Sequence, residues 1–486
     1  MKLRDLLNGV QILKSTADLD SEILSVCCDS RQAAAGSLFV AVSGFAVDGH
    51  LFIQTAAENG AAVCVCEKIP QSDIPYIQVA DSRVALAILS RKFYEDPAKK
   101  MTMIGVTGTN GKTTSTMLIK HMLETLTGTK VGLVGTNQNM IGDETLHTER
   151  TTPESIELQG LFREMLDAGC THAVMEVSSH SLVLHRVDGI VYEVGVFTNL
   201  TQDHLDFHGT MENYAAAKAL LFSEHCRKGV INIDDKWADF MLVRANCPVM
   251  TYSAKSDKAD LYADNILLSA DGIAYRVHFG AETADVRLGI PGMFSVYNSL
   301  DVIGCGLQLG LPLEKIVASF ATAKGVKGRV EVVPTDGDYT IVIDYSHTPD
   351  SLENILTAMR EVSDGRLVAL FGCGGDRDRT KRPIMGGIAA RLADFAIVTS
   401  DNPRTEEPQS IIDEILVGMK GTKTPYITIC DRVEAIHYAI DRHQPGDVII
   451  LAGKGHETYQ EVNHVKHHMD EREIVADYLA KRKENR

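Results

Sequence analysis

The chain has 486 residues, too many for one compact core, and two to four domains are expected. Hydrophobic residues make up 44% and charged residues 23%, ordinary for a globular protein. Lys and Arg total 48 against 65 Asp and Glu, a net charge of −17, which argues against a general nucleic-acid binder. Any anionic substrate must therefore be met by Lys and Arg placed locally.

The first residues, MKLRDLLNGV, are amphipathic and lack an apolar signal core, and no stretch approaches the roughly 18 apolar residues of a membrane span. The ten cysteines are scattered without a C-x-x-C pair, and reduced thiols are expected. Together these features predict a cytoplasmic protein without membrane insertion. Runs at 37–44 and 61–68 read as strands around a helical stretch at 50–59, and 93–100 (FYEDPAKK) reads as a linker. The β-run 101–108 ends in glycine and leads into a helix over 114–126. Further strand runs at 172–179, 194–200 and 229–234 alternate with helical patterns, predicting a mainly parallel α/β sheet. After a second break near 323–333 the rhythm restarts at 340–349, 366–375, 394–403 and 447–455. Ligands of open α/β sheets gather outside the carboxyl ends of the strands, so the polar and glycine-rich endings of these runs are where a site is expected.

The segment Gly108-Thr109-Asn110-Gly111-Lys112-Thr113-Thr114 lies between a strand and a helix. Small residues there let backbone N–H groups approach phosphate oxygens, a lysine can bridge the outer phosphates, and a hydroxyl can reach Mg²⁺. Lys112 and Thr113 fit the last two roles. The strict P-loop spacing fails, because Val106 stands where the first glycine is required.

With the segments EVSSH (176–180), NLTQDHLDFHG (199–209), Tyr297-Asn298, Gly328-Arg329, DYSHTP (344–349) and GCGGDRD (372–378), this loop resembles that of the Mur ligase family, which includes the folylpolyglutamate synthetases. The resemblance spans nearly the whole chain. It implies three α/β domains: a UDP-sugar-binding domain over 1–98, a central ATP-binding domain with a P-loop-type, mainly parallel sheet over 99–328, and a Rossmann-like amino-acid-binding domain over 329–486. It also implies ATP and Mg²⁺, with Thr113, Glu176 and His204 as metal ligands and a CO₂-derived carbamate on Lys218 as a further one. By pattern alone Lys218 is a helix lysine within 211–222; a carbamate requires its amine to be neutral first. Asn298 and Asp344 are similar to the family's nucleotide contacts, and Arg329 is placed to reach a γ-phosphate. Lys112, Lys218 and Arg329 would be the catalytic groups. The UDP-linked substrate would be held by Ser30, the loop around Phe45, Ala46 and Val47, then Thr151, Thr152, Ser178 and Arg186. Arg150 and Leu184 depart from some relatives, which have Asn and Gln there.

In the last third, Asp401-Asn402-Pro403-Arg404 resembles the signature of the branch that adds meso-2,6-diaminopimelate to UDP-N-acetylmuramoyl-L-alanyl-D-glutamate in peptidoglycan synthesis. Lysine-adding relatives carry an arginine-free variant. Diaminopimelate has a second carboxylate that lysine lacks, and a guanidinium can bind it bidentately. Arg404 is the candidate fork, with Arg377, Asn402, Gly453 and Glu457 around the same substrate. The alternatives are a lysine-adding or folylpolyglutamate-type ligase, a simple kinase or ATPase, and a nucleotide-binding regulator. A monomer and a domain-closure step are expected.

Overall fold

The computed structural model describes residues 1–484 except 45–46, 147, 149, 270–271, 324 and 364, so Phe45 and Ala46 of the expected sugar loop lie outside the described residues. The chain divides into two compact units, one of Met1–Tyr252 with Asp301–Pro312, the other of Ser253–Leu300 with Leu313–Arg486.

The first unit holds two sheets. In the five-stranded sheet, Ser25–Cys27, Ser37–Val40, Val63–Cys66 and Tyr76–Val79 run parallel, and Ile12–Ser15 pairs antiparallel at the edge. The second sheet is built around Thr102–Thr107, which pairs in parallel with His172–Glu176 on one side and Val194–Phe197 on the other. Gly229–Asn232 and Val249–Ser253 extend it on one flank and Val131–Val134 on the other. The inner strands are buried along their length, as the continuous apolar runs require of a sheet covered on both faces.

Several expected strands are shorter than their apolar runs because a cap takes over. The run 172–179 ends at Glu176, since Ser178 turns out to cap a short helix by accepting from the Ser181 N–H at 3.1 Å. The helix after the glycine loop starts earlier than expected, spanning Lys112–Thr127, so Lys112 and Thr113 occupy its first turn. The expected linker 93–100 is an ordered turn. Asp96 adopts a left-handed backbone and its carboxylate accepts from Arg91 at 2.8 Å and Lys99 at 3.0 Å, which fixes the one-turn helix Pro97–Lys100.

The second unit contains a six-stranded sheet in which Thr340–Asp344, Val448–Ala452, Leu367–Phe371, Phe395–Val398 and Tyr426–Thr428 run parallel in that spatial order, with Glu331–Val333 antiparallel at one edge. The non-sequential insertion of Val448–Ala452 beside Leu367–Phe371 makes a switch point. Beyond it lies a small hairpin, Tyr459–Val462 paired with Val465–His468. Among the described residues no helix is long and apolar enough to cross a membrane.

Candidate active site

In the first unit the three central strands deliver their carboxyl ends to one place. The loop Gly108–Gly111 follows Thr102–Thr107, Glu176 ends its neighbour, and Thr198 and Asn199 follow the other neighbour. The Asn110 N–H donates to Asn199 Oδ1 at 2.9 Å, the Thr109 N–H donates to Asn199 O at 2.9 Å, and Thr198 Oγ1 donates to Asn110 O at 2.6 Å. Gly108 has φ +150°, and a Cβ there would collide with Thr198 Oγ1, so only glycine fits. Gly111 is left-handed at φ +88° and precedes the first turn of the helix, whose N-terminal end carries partial positive charge. Lys112 Nζ folds back to the carbonyls of Gly108 (3.0 Å) and Thr109 (2.9 Å).

Thr113 and Glu176 meet directly: the hydroxyl donates to Oε1 at 2.9 Å. Thr136 donates its N–H to the same oxygen and its hydroxyl to Oε2, at 2.9 and 3.0 Å. Glu176 is thus held rigidly by hydroxyls and an amide, with no basic partner drawn close among these bonds. Lys218 is 1% exposed, and its Nζ donates to Gly108 O at 2.8 Å and lies 4.6 Å from the Tyr214 ring centroid. Burial, reinforced by the nearby Lys112 charge, pushes the Lys218 ammonium well below its ordinary range. His204 sits on a left-handed backbone, its ring 4.9 Å from that of His180, and burial keeps it neutral more readily than a free imidazole.

Thr151, Thr152, Ser178 and Arg186 gather around the same strand end. Thr152 Oγ1 donates to Glu176 O at 2.8 Å and accepts the Ser178 N–H at 3.2 Å; Arg186 donates to Thr152 O at 3.1 Å and pairs with Glu154 at 2.6 Å. Thr136 Oγ1 also lies 3.0 Å from Thr151 Oγ1. The Arg150 departure is absorbed locally, since its guanidinium also reaches Glu154, at 3.0 Å. Ser30 opens the one-turn helix Ser30–Gln32 between two strands of the five-stranded sheet, and its carbonyl accepts from Asn59 Nδ2 at 2.9 Å.

In the second unit Asp344 and Arg329 come together. Asp344 is buried and accepts from the Val330 N–H at 2.8 Å and from Ser346. Burial raises its carboxyl, partly offset by the Arg329 charge. Arg329 lies 4.9 Å over the Tyr345 ring, with Nε buried and without a hydrogen-bond partner. Asn298 is buried in the helix Met293–Gln308.

The expected amino-acid residues also converge in this unit, at the switch point. Asn402 Nδ2 donates to Glu457 Oε2 at 2.9 Å. Arg404, left-handed at φ 52°, donates Nη1 to Gly375 O at 2.8 Å. A Cβ on Gly374 would lie 2.9 Å from that Nη1, and one on Gly453 would lie 2.5 Å from Asp401 Oδ2, so both glycines make room for the charged groups. Arg377 is exposed beside them, bonded to Asp376 O at 3.0 Å. Pro403 is buried, and the Gly375 N–H donates to Asn402 O at 2.9 Å, tying the two loops.

The groups that sequence reasoning missed are the buried charges behind this cluster. Lys454 is fully buried, and its Nζ donates to Asn402 Oδ1 and Glu457 Oε2, each at 2.7 Å. It stands inside the glycine-rich run 453–457, which is the signal that could have found it. Arg432, paired with Glu471 at 2.8 Å, donates to Ser400 O (3.3 Å) and Ala452 O (2.9 Å), holding the ends of the strands that carry Asp401 and Gly453. Burial alone would raise Asp401, but Lys454 and Arg432 overcome it and hold the carboxyl below its usual range. Arg382, also fully buried, bonds Glu406, whose Oε1 accepts from the Asp376 N–H at 2.6 Å.

Residues 22–107 match the Mur ligase family catalytic domain, 106–306 the Mur ligase middle domain, and 328–455 the Mur ligase glutamate ligase domain. A UDP-N-acetylmuramoyl-L-alanyl-D-glutamate–2,6-diaminopimelate ligase of Caldanaerobacter subterraneus is 47% identical over 483 residues, 99% of each chain. One from Clostridium acetobutylicum is 46% identical over 483 residues, again 99% of each. A solved structure of a ligase of that name superposes with a TM-score of 0.73 at 32% identity, covering 99% of both chains.

Proposed function

The chain belongs to the Mur ligase family, with its three-domain α/β fold, and from that premise we propose that it joins meso-2,6-diaminopimelate to UDP-N-acetylmuramoyl-L-alanyl-D-glutamate in an ATP-dependent step of peptidoglycan precursor synthesis. The observation that carries the choice of amino acid is the cluster of Arg404, Asn402 and Glu457, which offers a guanidinium for a distal carboxylate beside a carboxylate for an ammonium. The working segments are 1–98 for the UDP-sugar, 99–328 for ATP and 329–486 for the amino acid. The protein acts in the cytoplasm, as a monomer.

A carboxylate is a poor electrophile, so the γ-carboxylate of the D-glutamyl residue is first phosphorylated by ATP. The amine then attacks the acyl phosphate, and phosphate leaves from a tetrahedral intermediate. The helix N-terminus at Lys112 receives the outer phosphates, and Lys112 exchanges its two carbonyl bonds for phosphate oxygens. Arg329 brings a guanidinium whose Nε has no other hydrogen bond. Thr151, Thr152, Ser178 and Arg186 orient the UDP-linked substrate from the Glu176 strand end.

The residues present fit Mg²⁺. Thr113 and Glu176 offer a hydroxyl–carboxylate oxygen pair, as a hard cation requires, and His204 adds an imidazole held neutral. Among the described residues no group of three or more His, Cys, Asp or Glu forms a complete nest, so phosphate oxygens and a carbamate on Lys218 would complete it. When bound, the ion neutralises charge on the phosphates. Lys218 fits the modification because its buried amine is already biased toward the neutral form that attacks CO₂.

The test is an amino-acid panel: pure protein, ATP, the UDP-dipeptide, and either meso-diaminopimelate or L-lysine, with products identified by mass spectrometry. A UDP-tripeptide with diaminopimelate is expected. Turnover with lysine alone, or phosphate release without amide product, overturns the reading.

A further inference from the structure

Arg404 already has a carboxylate beside it. Its Nε lies 3.2 Å from Glu461 Oε2, and the two side chains are only 17% and 19% exposed. Glu461 lies on the hairpin strand Tyr459–Val462 and is fixed by its backbone, independently of its side chain. Its N–H donates to Asn402 Oδ1 at 2.9 Å, and its carbonyl accepts the Arg404 N–H at 3.1 Å. The other carboxylate oxygen lies 3.9 Å from the exposed His464 ring. Neutralising this side chain therefore leaves the bonds that shape the loop in place.

This bears directly on how lysine is refused. Rejection of lysine rests on leaving a withdrawn guanidinium without its counter-charge. With Glu461 in position the guanidinium is never without one. We propose that Glu461 is a positioning residue that stands in for the distal carboxylate of the amino acid and so narrows the preference for diaminopimelate over lysine. The inference rests on the proposed diaminopimelate site. When diaminopimelate binds, two carboxylates share one guanidinium, and their repulsion weakens binding. When lysine binds, Arg404 stays paired, and the misfit is softened. Both effects compress selectivity.

The experiment uses the full chain with ATP and the UDP-dipeptide saturating. KM and kcat are measured for meso-diaminopimelate, and L-lysine is titrated as a competitor, so that a value exists even without lysine turnover. Glu461→Gln is expected to lower the KM for diaminopimelate and raise the inhibition constant of lysine, widening their ratio roughly tenfold, the scale of one charge pair drawn partly out of water. Its kcat and its KM for ATP stay unchanged, and Glu461→Asp, which keeps the charge, returns the ratio toward that of the unaltered chain. If Glu461 only braces Arg404, Glu461→Gln raises the KM for diaminopimelate instead, and the proposal falls. An unchanged ratio also overturns it. Arg404→Gln separates the two levels: if that variant keeps its KM for diaminopimelate, the site reading itself is wrong. If it loses diaminopimelate while Glu461→Gln does nothing, only the role of Glu461 is refuted.

Discussion

Two buried lysines do opposite things. Among the described residues Lys218 has a carbonyl and an aromatic face as partners, whereas Lys454 is matched by Asn402 and a carboxylate. An ammonium buried without a counter-ion is costly, so Lys218→Met, close in shape and uncharged, should melt no lower than the unaltered chain while losing turnover by about two orders of magnitude or more. Thermal melts beside a steady-state assay check this, and a clear drop in melting temperature would contradict it. Lys454→Met should behave differently, because it strips a donor from both Asn402 and Glu457. The KM for diaminopimelate should rise by roughly tenfold or more, with the KM for ATP unmoved. Arg404→Ala should cut diaminopimelate use by roughly two orders of magnitude, since it removes the donor rather than the acceptor.

At the level of elements, the loops of the proposed amino-acid site are locked together. The loop from Asp401 is pinned to the Gly374–Asp376 turn through Glu406 and Arg382, and to the hairpin through Arg404, whose carbonyl accepts the Asn463 N–H at 2.8 Å. Gly328 plays a similar part for the loop 453–457. It is left-handed at φ +70°, and a Cβ there would run into the backbone of Gly455 and His456. Gly328→Ala should therefore destabilise the unit by on the order of 2 kcal/mol. It should also raise the KM for the amino acid, because Glu457 hangs from the displaced loop. Denaturant melts combined with KM values would show both effects, and an unperturbed variant would show that the loop yields freely.

For the molecule as a whole, acid should be destabilising well before the carboxylates titrate. Burial holds His208 and His456 down at about 4, against an ordinary value of about 6.5 in the unfolded chain. Both are buried neutral, so their contribution is complete above the unfolded value and is lost as the pH falls from there toward 4. Stability measured by denaturant should decline through that window, and replacing either histidine by Asn should flatten the decline. Much of this architecture was legible in the sequence. Apolar runs ending in glycine marked the strands, the glycine loop marked Lys112, and the family resemblance pointed to Glu176 and Arg404. Less legible were the charges acting from behind. Arg382, Arg432 and Glu461 give no sign of this in the sequence, because the partners Glu406, Glu471 and Asn402 lie 24, 39 and 59 positions away along the chain. Nor did the sequence show that Asp96 makes an ordered turn of an apparent linker. The left-handed backbone at Arg404 carries one more implication. Glycine would sit there with less backbone strain, so Arg404→Gly should recover part of the stability that losing the Glu461 pair and the Gly375 bond costs. A library screened for robustness alone would thus not guard the side chain proposed to select the building block.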